Sequence, residues 1–221
     1  MASILIQHHA DVLCVWAYVS QARLVELERE FGDQVAIEHH WLQVFGNVSD
    51  KLYTNWRDKG GAAAYSAHVQ DIVARFGHVS VHPEIWQRET PSSSLPAHAV
   101  LCAVRLLDAA ERQSRVAAVA AAIRDAFFRD LVDVSQREAL LDIVERCGIP
   151  APRVARLLDN GAAWAALSSD LDLARDQQIR ASPTLIFNEG RQRLTGNVGY
   201  RVIEANVREL LQGPAAGQSW C

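Results

Sequence analysis

The chain has 221 residues, 49% of them hydrophobic, which is enough for a sizeable buried core and excludes wholesale disorder. It carries 22 basic against 26 acidic side chains, a net charge of −4 that argues against a nucleic-acid or polyanion partner. Its four cysteines, Cys14, Cys102, Cys147 and Cys221, stand far apart in sequence, which excludes a paired-cysteine zinc or redox motif and speaks against a disulfide scaffold.

The stretch from Met1 to His9 has no basic segment, and polar residues interrupt it at once. No apolar run approaches the ~20 residues of a membrane span. These features predict a cytoplasmic protein with reduced thiols and no membrane partner.

Residues 3–9 form a short apolar run without helical period and read as a strand. From 15 to 31 the apolar residues Val15, Tyr18, Val19, Ala22, Leu24, Val25, Leu27 and Phe31 recur at helical spacing. Gly32 supplies the stop. Residues 35–41 alternate, with Val35, Ile37, His39 and Trp41 on one face, and read as a second strand. Strand, helix and strand make a right-handed crossover with a parallel pair.

Residues 47–178 lack strand patterns and read as helices over 61–76, 95–112, 115–129, 135–147, 151–158 and 161–178. Ser135 and Glu138 have the spacing of a capping box. The end returns to strands at 184–187 and 191–195, joined by the turn Asn188-Glu189-Gly190, and closes with an amphipathic helix over 199–212. The order βαβ, helical block, ββα predicts an α/β fold with a mixed four-stranded sheet and helices on both faces. It divides the chain into a discontinuous sheet domain at 1–46 and 179–213, an all-helical insertion at 47–178 and a tail at 214–221.

Two places could carry chemistry. Cys14 follows the first strand at the mouth of the first helix, where free N–H groups and the helix dipole favour an anion. A thiol's ordinary pKa is about 8.5, and such a position can lower it; the thiolate is the nucleophile. A buried cysteine behaving as a small hydrophobe is the alternative. Asp11, if close and charged, would oppose ionisation. The second place is Ser182-Pro183, directly before the third strand. A cis bond there would turn the backbone to face a neighbour, whereas a trans proline would merely begin an edge strand.

His8-His9 and His39-His40 end the parallel strands, and alternation sends the members of each pair to opposite faces. His9 and His40 could line the site, handle a proton, or join Cys14 on a metal, or they could simply fill sheet-end positions. Ligand spacing is lacking, so no bound metal is expected. Trp16 and Tyr18 flank the thiol. Trp41, Phe45, Tyr53 and Trp56 could line a cleft between sheet and insertion, with Trp41 read as core. Cys102, among apolar neighbours, reads as structural. Cys221, on the terminal stretch, is a distant candidate to resolve Cys14.

Three stretches together resemble the DsbA-like thioredoxin-fold family. The branch is the one holding FrnE-type disulfide oxidoreductases, 2-hydroxychromene-2-carboxylate isomerases and kappa-class glutathione transferases. Asp11-Val12-Leu13-Cys14-Val15-Trp16-Ala17-Tyr18 is similar to the Asp-x-x-Cys-Pro-Trp-Cys-Tyr redox segment. Ser182-Pro183-Thr184-Leu185-Ile186-Phe187-Asn188, with Gly196 following, is similar to the cis-proline strand and hairpin. Pro91 to His98 and the helix after them resemble the start of the helical insertion, and His98 matches a histidine often found there.

The resemblance implies that Cys14 is catalytic, that Trp16, Ala17, Ser182 and Pro183 bind the thiol partner, and that Asp11, His9, His40 and His98 are lining candidates. It also exposes a departure: the family's second redox cysteine falls at Ala17, and its proline at Val15. Cys14 must then rely on an external thiol such as glutathione, a cosubstrate rather than a bound cofactor. Three functions remain open: a monothiol oxidoreductase acting on a small thiol or a disulfide-containing protein, a glutathione-dependent isomerase or transferase, and a partner-binding module without catalysis. The alanine-rich helices leave room for a homodimer.

Overall fold

The computed structural model describes residues 3–88 and 90–212. The tail at 214–221, with Cys221, lies outside the described residues. Strand β1 (Ile4–Ala10) feeds helix α1 (Val15–Phe31), and strand β2 (Val35–Trp41) pairs parallel with β1, Ile4 opposite Val35 and Ala10 opposite Trp41. Gly32, at φ 50°, ends α1 and donates its N–H to the Glu28 carbonyl. Strand β3 (Thr184–Phe187) is antiparallel to β1, and β4 (Gln192–Thr195) folds back on β3, giving the sheet order β2-β1-β3-β4. This is the mixed four-stranded sheet that the sequence predicts.

Between the halves lie α2 (Gly61–Val73), α3 (Leu95–Glu111), α4 (Val116–Phe128), α5 (Arg137–Arg146), α6 (Ala151–Asp159) and α7 (Ala162–Asp176); α8 (Tyr200–Gln212) follows the sheet. Helices α1 and α8 cover one sheet face, where Leu24, Leu27 and Phe31 meet Ile6, Val35, Phe187, Ile203 and Val207. Ala174 and Ile179, on α7 and just beyond it, cover the other face against Leu42 and Ile186. Helix α7 therefore belongs to the insertion in sequence and to the sheet layer in space. The largest core joins the β1–α1 corner to the insertion through Trp41, Phe45, Trp86, Phe127 and Phe128. Each such side chain contributes about 1.5–3 kcal/mol by leaving water.

The capping box at Ser135 does not form. Helix α5 begins at Arg137, and the Asp133 carboxylate takes both the Ser135 N–H at 2.9 Å and the Ser135 hydroxyl at 2.5 Å. A carboxylate two residues upstream is the stronger acceptor and makes an Asx turn instead. Among the described residues no helix is long and apolar enough to cross a membrane.

Candidate active site

The corner between β1 and α1 is built around Asp11, which is fully buried. Its Oδ1 accepts the Leu13 N–H at 2.9 Å. Its Oδ2 accepts the Phe45 N–H at 2.8 Å and the Ser94 hydroxyl at 2.9 Å. One carboxylate thus ties the cysteine loop to the segment after β2 and to the start of α3. The Asp11 N–H donates to Ser182 Oγ at 2.9 Å, joining the loop to the segment before β3. The Ser182-Pro183 bond is cis.

Cys14 is the N-cap residue of α1, with extended backbone at φ −82° and ψ 117°. Its thiol donates to the Ser182 carbonyl at 3.2 Å. Cys14, Trp16, Ala17, Ser182 and Pro183 are therefore gathered at one corner, with Ala17 buried in the first turn of α1. The thiol's pKa lies above its ordinary value in this resting state, despite its place at the helix N-terminus. Burial pushes it up; the Ser182 contact and the Ala17 and Trp16 N–H groups pull it back only in part, and the Asp11 charge adds to the rise. Burial likewise raises Asp11 to about 6, against the pull of the Phe45, Leu13 and Ser94 hydrogen bonds.

The histidines divide by sheet parity. His9 and His40 stack on each other at 4.9 Å, and His40 Nδ1 meets Asp170 of α7 at 2.8 Å. They occupy the face opposite α1, so the structure does not bring them to Cys14. No cluster of three metal-ligating His, Cys, Asp or Glu side chains occurs among the described residues. Burial pushes Asp170 up, but His40 and Arg105 outweigh it and hold the carboxyl below its ordinary range. Cys102 lies in the same cluster, fully buried and raised to about 12 by burial. It is structural, 3.7 Å from Asp170 and 3.6 Å from Arg105.

His8 and His39 face α1 instead, and their Nδ1 atoms share a proton at 3.0 Å. His98 Nε2 accepts the Val12 N–H at 3.1 Å. That fixes the proton of the neutral ring on Nδ1 and makes His98 a support for the cysteine loop. Its Nε2, 3.7 Å from Asp11 Oδ1, cannot then donate to the carboxylate. Burial holds His98 at about 3 and His39 at about 4, so both rings are uncharged near neutral pH.

An aromatic wall stands beside the thiol. Tyr65 packs on Phe45, Trp56 and Trp86 with ring centroids at 6.2, 4.8 and 5.5 Å. Trp16 meets Phe76 edge-on at 6.3 Å. Trp41 is core, stacked between His39 and His98, whereas Tyr53 is exposed. Burial raises the Tyr65 phenol, and the nearby Cys14 and Asp11 charges raise it further. Sequence reasoning missed Tyr65, Ser94 and Arg124. Arg124 of α4 is buried, and its charge favours ionisation of the Asp11 carboxyl against the effect of burial. A signal existed for it, since it shares the apolar stripe of Ala120, Phe127 and Phe128.

The sheet order, the cysteine capping the first helix and the cis-proline facing it define a thioredoxin-fold protein with a helical insertion. The chain belongs to the DSBA-like thioredoxin domain family, whose model matches residues 6–208. Solved structures of similar fold include a candidate protein disulfide isomerase of Nitrosomonas europaea, at 17% identity over 97% of this chain and 100% of that one, with TM-score 0.80. The cytosolic disulfide reductase DsbM of Pseudomonas aeruginosa, solved with GSH, matches at 16% identity over 93% of this chain and 100% of its own, with TM-score 0.70. A 2-hydroxychromene-2-carboxylate isomerase matches at 16% identity over 94% and 96%, with TM-score 0.68. At these identities the likeness is one of fold. In sequence, the ClpXP adapter protein SpxH of Bacillus licheniformis is 30% identical over 112 residues, which span 48% of this chain and 37% of that relative.

Proposed function

We propose that the chain is a thiol-disulfide oxidoreductase of monothiol type, with Cys14 as nucleophile and a small thiol such as glutathione as resolving partner. The observation that carries this reading is the Cys14 sulfur, 3.2 Å from the carbonyl of the cis Ser182-Pro183 segment, with Ala17 where a second sulfur would stand. The Cys14 thiolate attacks one sulfur of a partner disulfide. A new S–S bond forms, the old one breaks, and the leaving thiolate takes a proton. A glutathione thiolate then attacks the partner's sulfur in the mixed disulfide and releases Cys14 as thiolate. The net change is one disulfide and one glutathione converted to one glutathione mixed disulfide and one thiol.

Ser182 links ionisation to docking. Its carbonyl accepts the resting thiol's proton, so loss of that proton frees it to accept a backbone N–H from an extended partner. A reduced, cytoplasmic setting suits a site that depends on an external thiol.

Mass spectrometry after incubation with oxidised glutathione tests the reading. A mixed disulfide mapped to Cys14, and absent in Cys14→Ser, is the expected result. Adducts confined to half-buried Cys147 would sink it. A second reading rests on the sequence match to an adapter protein together with the missing second cysteine: a partner-binding module that uses the Ser182-Pro183 groove without chemistry. In that case Cys14→Ala would leave partner capture intact and no Cys14 adduct would turn over.

A further inference from the structure

Two segments fastened to the cysteine loop form the walls of a shallow pocket. The first wall is the segment after β2. Its Leu42 N–H donates to the Ala10 carbonyl at 2.9 Å, and its Phe45 N–H donates to Asp11 at 2.8 Å. The second wall is the segment between α7 and the cis-proline. It ends on Ser182, which accepts the Asp11 N–H at 2.9 Å and the Cys14 thiol at 3.2 Å. Between the walls lies a cavity of about 260 Å³, room for a side chain rather than a drug-sized molecule.

The floor of this cavity is apolar. Leu42, Ala174 and Ile179 are buried there, with Val44 packed against them. The rim carries two cations, Arg175 and Arg180. Arg175 is engaged by Asp172 at 3.0 Å and Asp176 at 3.8 Å. Arg180 is exposed and has no ion-pair partner among the described residues. An apolar floor beneath an uncommitted guanidinium suits a side chain with a methylene stem and a terminal carboxylate.

Position along the chain sets which residue of a partner arrives. Arg180 stands two residues before Ser182, whose carbonyl faces the Cys14 sulfur. Two residues of extended chain reach about 6.6 Å. A partner stretched along this segment with its sulfur at Cys14 therefore brings the residue two places from its cysteine to Arg180. The long-range field works the other way, since a net charge of −4 repels an acidic partner. A preference for acid must then come from the local cation.

We propose that this pocket selects a protein partner carrying an acidic side chain two residues from its reacting cysteine, and that Arg180 is the residue that reads it. The inference rests on the reading of Cys14 as the nucleophile and names the class of disulfide that it attacks. Arg180 is a specificity residue: it meets the partner's flanking side chain and takes no part in the exchange of sulfurs.

The test uses the symmetric disulfide of a heptapeptide with glutamate two residues to each side of its cysteine, and its glutamine counterpart. Cys14 adducts are followed by site-mapped mass spectrometry. Each forms as the Cys14 thiolate attacks one peptide sulfur and the other peptide leaves as thiolate. The glutamate peptide is expected to react about two- to fivefold faster at low salt, the range of an exposed ion pair, and to lose that advantage at ~1 M salt. Arg180→Gln is expected to abolish the preference and Arg180→Glu to reverse it. Both variants should fold, because the side chain is exposed, and circular dichroism checks this. The same peptides with serine in place of cysteine, titrated by fluorescence anisotropy, should rank in the same order by affinity.

Equal rates and equal affinities for the two peptides overturn the proposal, as does a preference that survives Arg180→Glu. Either result leaves the monothiol reading standing where Cys14 adducts form. If Cys14 takes no adduct from the peptides or from oxidised glutathione, while the serine peptides keep a preference that depends on Arg180, the monothiol reading falls and the pocket stands. No adduct and no binding of either peptide overturns both.

Discussion

Ala17→Cys is expected to free the protein from external thiol. The mixed disulfide between Cys14 and glutathione, once formed and stripped of free thiol, should persist in the natural sequence. In the variant it should break on its own, releasing glutathione as thiol and leaving a disulfide between Cys14 and the new sulfur. The geometry favours closure. Cys14 caps α1, position 17 follows in its first turn, and the Ala17 N–H already acts on the Cys14 sulfur. Cα atoms three residues apart at a helix start fall within the ~4.4–6.8 Å that a disulfide requires. Well-oriented intramolecular attack corresponds to effective concentrations of roughly 10⁵ M and above, against millimolar glutathione. Even with a large shortfall from ideal alignment, the adduct's lifetime should drop at least about a hundredfold. Mass spectrometry of the adduct over time decides the matter. Equally fast release from the natural sequence would mean that another cysteine already resolves Cys14, and retention in the variant would mean that position 17 cannot reach the sulfur.

The pattern of strands and helices was largely legible because each strand is short, parity-marked and bounded by a turn. The strands at 35–41 and 184–187 match residue for residue. The helix ends shift by no more than a few residues, because caps depend on side-chain competition, as at Asp133 and Ser135. The place of α7 was harder to read. Its apolar contact with the sheet passes through Ala174, a weak signal on a helix that also packs within the insertion.

In the site, Cys14 and Ser182-Pro183 were legible because each lies at a strand end, where topology brings them together. The histidines show the limit of parity. Alternation separates His8 from His9 and His39 from His40, yet the choice of face required the aliphatic partners. Ile6 shares a parity with His8, and Val35 with His39, and α1 packs on that aliphatic face. Arg124 and Tyr65 were hidden for another reason. Their relation to the cysteine loop is set by how insertion helices pack over the sheet, which local periodicity does not encode.

Asp11 should make the protein less stable as pH rises through mild acidity, the reverse of the usual carboxylate effect. Its carboxyl is raised from an ordinary 3.8 to about 6, chiefly by burial. Below about pH 4 the group is protonated in both folded and unfolded chains, and no penalty applies. Between about 4 and 6 the unfolded chain loses its proton while the folded chain keeps it, so the unfolded state gains. Above that window the penalty is constant. A shift of about two units is worth roughly 3 kcal/mol, a large share of a typical total of about 5–15 kcal/mol. The comparison with Asp11→Asn isolates this contribution from the other titrating groups. Asparagine keeps one acceptor for Phe45 and Ser94 but sets an NH₂ against the Leu13 N–H, a fixed cost of about 1–3 kcal/mol. The stability advantage of the natural chain over Asp11→Asn, measured by urea unfolding, should therefore shrink by about 2 kcal/mol from pH 4 to 6.5. An advantage that stays level or grows with pH would show that the hydrogen bonds from Leu13, Phe45 and Ser94 outweigh burial and keep Asp11 ionised throughout.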